Sequence, residues 1–307
     1  MFLALLSKVL PLYTTILLGY VAGKFIKLDS QTIGKLLFYV IGPSVVFFGI
    51  LKTKISPEYA SLPIITFLIC CVMSFVVYRV SALIFRGHTR EMLAFSSGSS
   101  SMGFFGLPVA IALFDEDTVS IYLLCYVGML FFENSFGFYI VTQRIYTPKQ
   151  CAKRLLLLPA FHATAAALLL NYYKIPMPGF LLGISTSITN SYMVLGTILL
   201  GVAIANIKDF SIDIKLVAST ILIKYVAWPL VILLLIFLDR IGPGLYDTQA
   251  YQALILLAII PVSSTGVILA SMFNYQPDRA AMILLISTVI GMFYVPLMIS
   301  LLLHGHQ

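Results

Sequence analysis

Long apolar runs follow one another through the whole chain, at residues 2–22, 32–51, 64–85, 93–114, 119–141, 155–171, 183–205, 216–238, 251–273 and 280–303. A helix needs about 20 apolar residues to cross the hydrocarbon core of a bilayer, so every run is long enough to span. The runs are continuous rather than alternating, which excludes a transmembrane β-barrel. They predict an all-α polytopic membrane protein of ten transmembrane helices. Charge supports this: only 10% of the 307 residues are charged, against roughly 25% in an ordinary soluble domain. The mean hydropathy of +1.02 leaves no room for a sizeable aqueous domain.

The formal charge of +7 does not point to nucleic acid, because Lys and Arg are scattered between the runs and not gathered on one face. Cys70, Cys71, Cys125 and Cys151 have no metal-ligand spacing and read as small apolar fillers, so neither a metal nor another cofactor is expected. The N-terminus lacks a basic leader and a small-residue cleavage site, so the first run is expected to remain as a helix.

Lys and Arg favour cytoplasmic loops. One set of alternate loops carries Lys24, Lys27, Arg86, Arg90, Arg144, Lys149, Lys153, Arg154, Lys208, Lys215 and Arg279, the other only Lys52, Lys54, Lys174 and Arg240. Both termini are therefore expected outside a cytoplasmic (inner) membrane, with the basic loop 142–154 inside. That loop divides the runs into residues 1–141 and 155–307, five in each. An odd number of crossings places a second copy upside down, the inverted-repeat architecture of many secondary transporters.

The fourth run contains Ser96, Ser97, Gly98, Ser99, Ser100, Ser101, Gly103, Gly106 and Pro108. Glycine and proline both weaken a helix interior. The ninth run repeats the device with Pro261, Ser263, Ser264, Thr265 and Gly266. Irregular backbone at membrane depth is tolerated where it is buried in protein or lines a cavity, and paired interrupted helices point to a substrate site. The alternative is close helix packing through small residues.

Ionisable residues within a span cost about 2.5 to 3.5 kcal/mol each. Counting at 1.5 Å per residue puts Lys224, Glu133, Arg79 and His162 at one depth, roughly 10 to 13 Å from the cytoplasmic end. Glu133 is expected to pair with Lys224 or Arg79. That pair either leaves net positive charge for a carboxylate substrate or serves as a structural ion pair. His162 is either a proton carrier or a packing residue, and Asn134 and Asn190 either contact substrate or bridge helices. A sodium ion or a proton is a possible coupling ion. No nucleophile with a base, phosphate-binding loop or metal motif emerges, so no enzyme activity is expected.

The residues Gly103-Phe104-Phe105-Gly106-Leu107-Pro108, Pro261 through Pro277-Asp278, Lys224 with Trp228-Pro229, and Leu18-Gly19-Tyr20 resemble the auxin efflux carrier family. That family includes plant PIN carriers and bacterial permeases labelled malate or malonate transporters, and the short central loop is similar to the bacterial form. The resemblance implies a sodium/proton antiporter-like fold. In it, helices one, two, six and seven form a dimerising scaffold, and helices three to five and eight to ten form a transport domain moving as an elevator. It implies a small organic anion as substrate, bound where helices four and nine cross. Ser101 stands where relatives often carry Asn, so a shorter hydroxyl replaces an amide there.

Overall fold

The computed structural model describes residues 2–26, 28, 30–52, 58–207 and 212–302, and all its regular structure is helical. Lys27, Lys54, Lys208 and the end of the last run at Leu303 lie outside the described residues. Seven helical stretches are long and apolar enough to cross a membrane: Leu5–Phe25, Thr32–Lys52, Tyr59–Leu83, Glu116–Thr142, Gly179–Ala205, Ile214–Ile241 and Pro277–Leu302. An eighth forms if Pro148–Leu156 and Pro159–Tyr172, bent by 53° at their junction, count as one span. The remaining runs, 93–114 and 251–273, each break into two shorter helices, so ten unbroken spans do not form.

In chain order the helices are α1 (Phe2–Phe25), α2 (Ser30–Leu36), α3 (Gly42–Lys52), α4 (Leu62–Val80), α5 (Gly87–Gly98), α6 (Leu107–Leu113), α7 (Glu116–Asn134), α8 (Phe136–Thr142), α9 (Pro148–Leu156), α10 (Pro159–Tyr172), α11 (Gly179–Ala205), α12 (Ile214–Leu222), α13 (Trp228–Ile241), α14 (Thr248–Ile259), α15 (Thr265–Phe273) and α16 (Pro277–Leu302).

Three junctions within this series are π turns: Leu37–Ile41 before α3, Met102–Gly106 before α6 and Ile223–Ala227 before α13. Each is followed two residues later by a proline, Pro43, Pro108 or Pro229. Proline has no N–H to give and its ring crowds the carbonyl four residues back, so an ordinary turn is disfavoured there. In each turn the residue before the proline, Gly42, Leu107 or Trp228, donates its N–H five residues back to the carbonyl of Leu37, Met102 or Ile223, and the carbonyl four residues before Pro229 is met by the Tyr294 hydroxyl.

Helix α7 lies at the centre and packs against α3, α4, α6, α8 and α14. Helix α1 runs along α11, where Gly19 and Gly201 bring the two backbones together; a Cβ on Gly201 would strike the Ile16 carbonyl and the backbone of Tyr20. Close backbone approach through small residues is how helices associate in lipid, which supplies no hydrophobic drive between them. At one end Glu91 is buried and accepts from His88 Nδ1 at 2.9 Å and Arg144 Nε at 3.3 Å, tying the first turn of α5 to the segment after α8.

Candidate functional site

The two broken runs meet. Helix α5 ends at Gly98, the chain is extended at Ser99, and the Met102–Gly106 turn leads into α6. Helix α14 ends at Ile259, Ile260 is extended, and α15 begins at Thr265. The backbone N–H of Ser101 donates to the Pro261 carbonyl at 2.9 Å, joining the two breaks. Residues from Ser96 to Ser101 and from Pro261 to Ser264 are all buried. A polar backbone thus crosses another one inside the protein, away from lipid, as irregular backbone at this depth requires.

Local sequence explains each break. A Cβ on Gly98 would run into the Phe132 ring and the Cys70 carbonyl, so the closing residue of α5 has no room for a side chain. Gly103 faces the hydroxyls of Tyr126 and Tyr192, which lie 3.2 Å apart, and Gly106 faces Tyr122, whose hydroxyl donates to the Met102 carbonyl at 3.0 Å. Pro108 is the second residue of α6, directly after the Met102–Gly106 turn. The Ser263 hydroxyl accepts the Thr265 N–H at 3.2 Å, Ser264 is buried beside it, and Gly266 lies against Phe95 and Ser96.

Two charged side chains reach the crossing, one at each break. Lys224, in the Ile223–Ala227 turn, is 1% exposed; its ammonium donates to the Ser100 hydroxyl and lies 4.7 Å from the Trp228 ring centre. Trp228 Nε1 donates at 2.6 Å to the carbonyl of Ser97, one of the acceptors left over where α5 ends. Helix ends carry opposite partial charges, and a cation suits this C-terminal one. At the other break, Glu133 of α7 is buried, and its Oε2 accepts from the Thr265 hydroxyl at 3.0 Å where α15 begins. The hydroxyls of Ser99 and Ser101 and the Glu133 Oε1 are buried without a hydrogen-bond partner among the described residues. Orphaned buried polar atoms are uncommon and call for an explanation.

The expected ion pair of Glu133 with Lys224 or Arg79 does not form among the described residues; the ion pairs there include His88–Glu91, Arg144–Glu91 and Arg279–Asp213. Arg79 lies exposed on α4 with its guanidinium 5.8 Å from the Phe75 ring centre. His162 is exposed on α10 and meets Phe161 edge-on, and Asn190 is exposed on α11. Asn134 is buried but spends its amide on the Leu130 carbonyl. Lys224 and Glu133 therefore converge on the crossing, whereas Arg79, His162 and Asn190 face outward. Trp228, Ser97 and the Tyr122, Tyr126 and Tyr192 hydroxyls join the site without any spacing signal that would have singled out these contacts.

Apolar helices long enough to cross a membrane, together with two broken runs joined in a buried polar centre, form an arrangement similar to the interrupted helices of membrane transporters. Residues 4–144 match the family model described as membrane transport protein, and over that part of the chain the resemblance to the auxin efflux carrier family holds. The chain is also 26% identical over 143 residues to an uncharacterised transporter of Methanocaldococcus jannaschii, a match covering 44% of this chain and 46% of that protein. The match thus spans less than half the length of the curated relative.

Proposed function

We propose that the protein is a secondary carrier of small organic anions, mono- or dicarboxylates, which bind at the crossing of the broken helices. The observation that carries this reading is the pairing of the Ser101–Pro261 bond with a buried lysine at Ser100. A buried ammonium is expensive unless something negative or dipolar compensates it. Among the described residues Lys224 meets a hydroxyl, an aromatic face, the Cys70 thiol and the nearby α5 terminus but no carboxylate, so a visiting carboxylate would complete its surroundings. The unpartnered Ser99 and Ser101 hydroxyls are donors within the same stretch of backbone, and Ser263, Ser264 and Thr265 supply others from the second break.

In this reading the chain crosses a cytoplasmic membrane ten times as two inverted five-helix repeats, with α5–α6 and α14–α15 as the interrupted crossings. Spans one, two, six and seven form a dimer scaffold, against which the rest moves as an elevator between the two aqueous sides. The match to a membrane transport family supports the transporter class, and the paired breaks support the alternating site.

The test is uptake of labelled malate, malonate and benzoate by purified protein in proteoliposomes, with pH, sodium and voltage gradients imposed separately. Saturable uptake that competing unlabelled acid suppresses supports the reading. If no acid moves while pH or sodium gradients alone drive cation flux, the protein is a cation antiporter and the anion site is wrong. Binding of an acid without any flux would make it a receptor.

A further inference from the structure

We infer that Glu133 takes up a proton with each anion, making the protein an anion/proton symporter; this deepens the reading above and rests on it. Glu133 is 7% exposed, and among the described residues it has no cationic partner. One carboxylate oxygen receives the Thr265 hydroxyl; the other is buried and makes no well-formed hydrogen bond among the described residues, with the Ser263 hydroxyl as the neighbouring polar group. As an anion, that second oxygen gives up its hydration with no return; as a neutral carboxyl, it carries the proton itself and the penalty largely disappears.

The surroundings fix the sign of the coupling. The titratable groups in electrostatic contact with Glu133 are Cys70 of α4, Tyr126 of α7 and Tyr192 of α11, and Lys224 of the Ile223–Ala227 turn acts on the same Cys70. In their ordinary forms near neutral pH the thiol and the phenols are uncharged and the lysine is a cation. Lys224 stands at the Ser100 break and Glu133 at the Thr265 break, so a carboxylate bound at the crossing is drawn to the ammonium and disfavours an ionised Glu133. A monoanion entering alone leaves one negative charge uncompensated at membrane depth, where a single charge is costly. A proton on Glu133 cancels that charge and needs only the one oxygen the site leaves free. The proton enters with the anion, sits on Oε1 during the crossing, and leaves to water on the far side when the anion departs. The stoichiometry is one proton for each monoanionic acid.

Two measurements on the protein in proteoliposomes test this. Infrared difference spectra between acid and alkaline buffer should show a protonated-carboxyl band that Glu133→Gln removes; an unchanged band in the variant overturns the assignment. Thr265→Val, which takes away the hydroxyl that steadies the carboxylate, should move that band's midpoint to higher pH, and an unmoved midpoint counts against it in the same way. In flux, at a pH acid enough to supply the monoanions of malate and malonate, an inward acid gradient should accelerate uptake of labelled malate, malonate or benzoate by wild type above that into protein-free liposomes. With uptake under the gradient divided by gradient-free exchange measured in the same protein, Glu133→Gln should lose about ten-fold or more of the acceleration, the factor that 1.36 kcal/mol represents. Gradient-driven uptake that persists in Glu133→Gln, or wild-type uptake driven by sodium alone, overturns the symport. If none of the three acids exchanges, the anion reading fails, and the infrared band still decides whether Glu133 takes a proton.

Discussion

Lys224 and Trp228 lie one helical turn apart on the same face, and each meets the end of α5 with a different group. The tryptophan contact is the easier to isolate, because phenylalanine keeps an aromatic face for the ammonium and removes only the indole N–H. Trp228→Phe leaves the buried Ser97 carbonyl without its donor, which costs about 1 to 3 kcal/mol. A lowered thermal unfolding midpoint with uptake still measurable is the expected result. Lys224→Met keeps the length of the side chain and deletes the charge. Uptake of the transported acid should fall by about ten-fold or more, equivalent to 1.36 kcal/mol; uptake equal to wild type would remove Lys224 from the site. The same comparison shows what single residues disclose in a sequence. Depth follows from counting residues, so Lys224, Glu133, Arg79 and His162 could all be assigned to one level. Direction about the helix axis does not follow from counting: Arg79 and His162 turned outward, while Lys224 and Glu133 turned in. The tyrosine hydroxyls facing Gly103 and Gly106 were illegible for the same reason, since three different helical stretches supply the contact.

Helix ends and breaks were more legible, because their chemistry is local. Serine, glycine and proline in runs four and nine announced discontinuity, and both runs break within a few residues of those positions. The π turns were not foreseen, although each answers a proline that was visible. Helix α7 begins with another local device. Asp115 accepts the Thr118 N–H at 2.7 Å as an N-cap, and this backbone donor holds its carboxyl below the ordinary carboxylate value. Losing such a cap costs about 1 kcal/mol. Asp115→Ala should therefore lower the unfolding midpoint, whereas Asp115→Asn, which keeps an acceptor oxygen, should retain most of the stability. A carboxyl with a lowered folded pKa contributes stability that is present above its unfolded pKa of about 3.9 and is lost as pH falls through the folded value. The charge-dependent part of the difference between wild type and Asp115→Asn should accordingly vanish in strong acid. A difference that persists there would mean that the carboxylate charge plays no part in the cap.

At the scale of the whole molecule, orientation depends on a physical bias that no single contact records. Eleven Lys and Arg residues lie in one set of loops and four in the other, and positive charge resists transfer across the membrane during insertion. Two exposed residues offer a direct test: Lys149 at the start of α9 and Asp117 in the first turn of α7, which the charge count puts on opposite sides. The native thiols interfere little, since Cys70, Cys125 and Cys151 are buried and Cys71 is partly so. In intact cells, a membrane-impermeant maleimide should label Asp117→Cys and leave Lys149→Cys unmodified until the membrane is opened. An odd number of crossings between the two positions, as runs five alone provides, is what makes their labelling opposite. If both label from outside, the segment Glu116–Thr142 does not cross the bilayer and the inverted arrangement fails with it. If Lys149→Cys alone labels, the crossing stands and the charge count has been read with the wrong sign, which would leave the crossing site intact while exchanging its inward and outward faces.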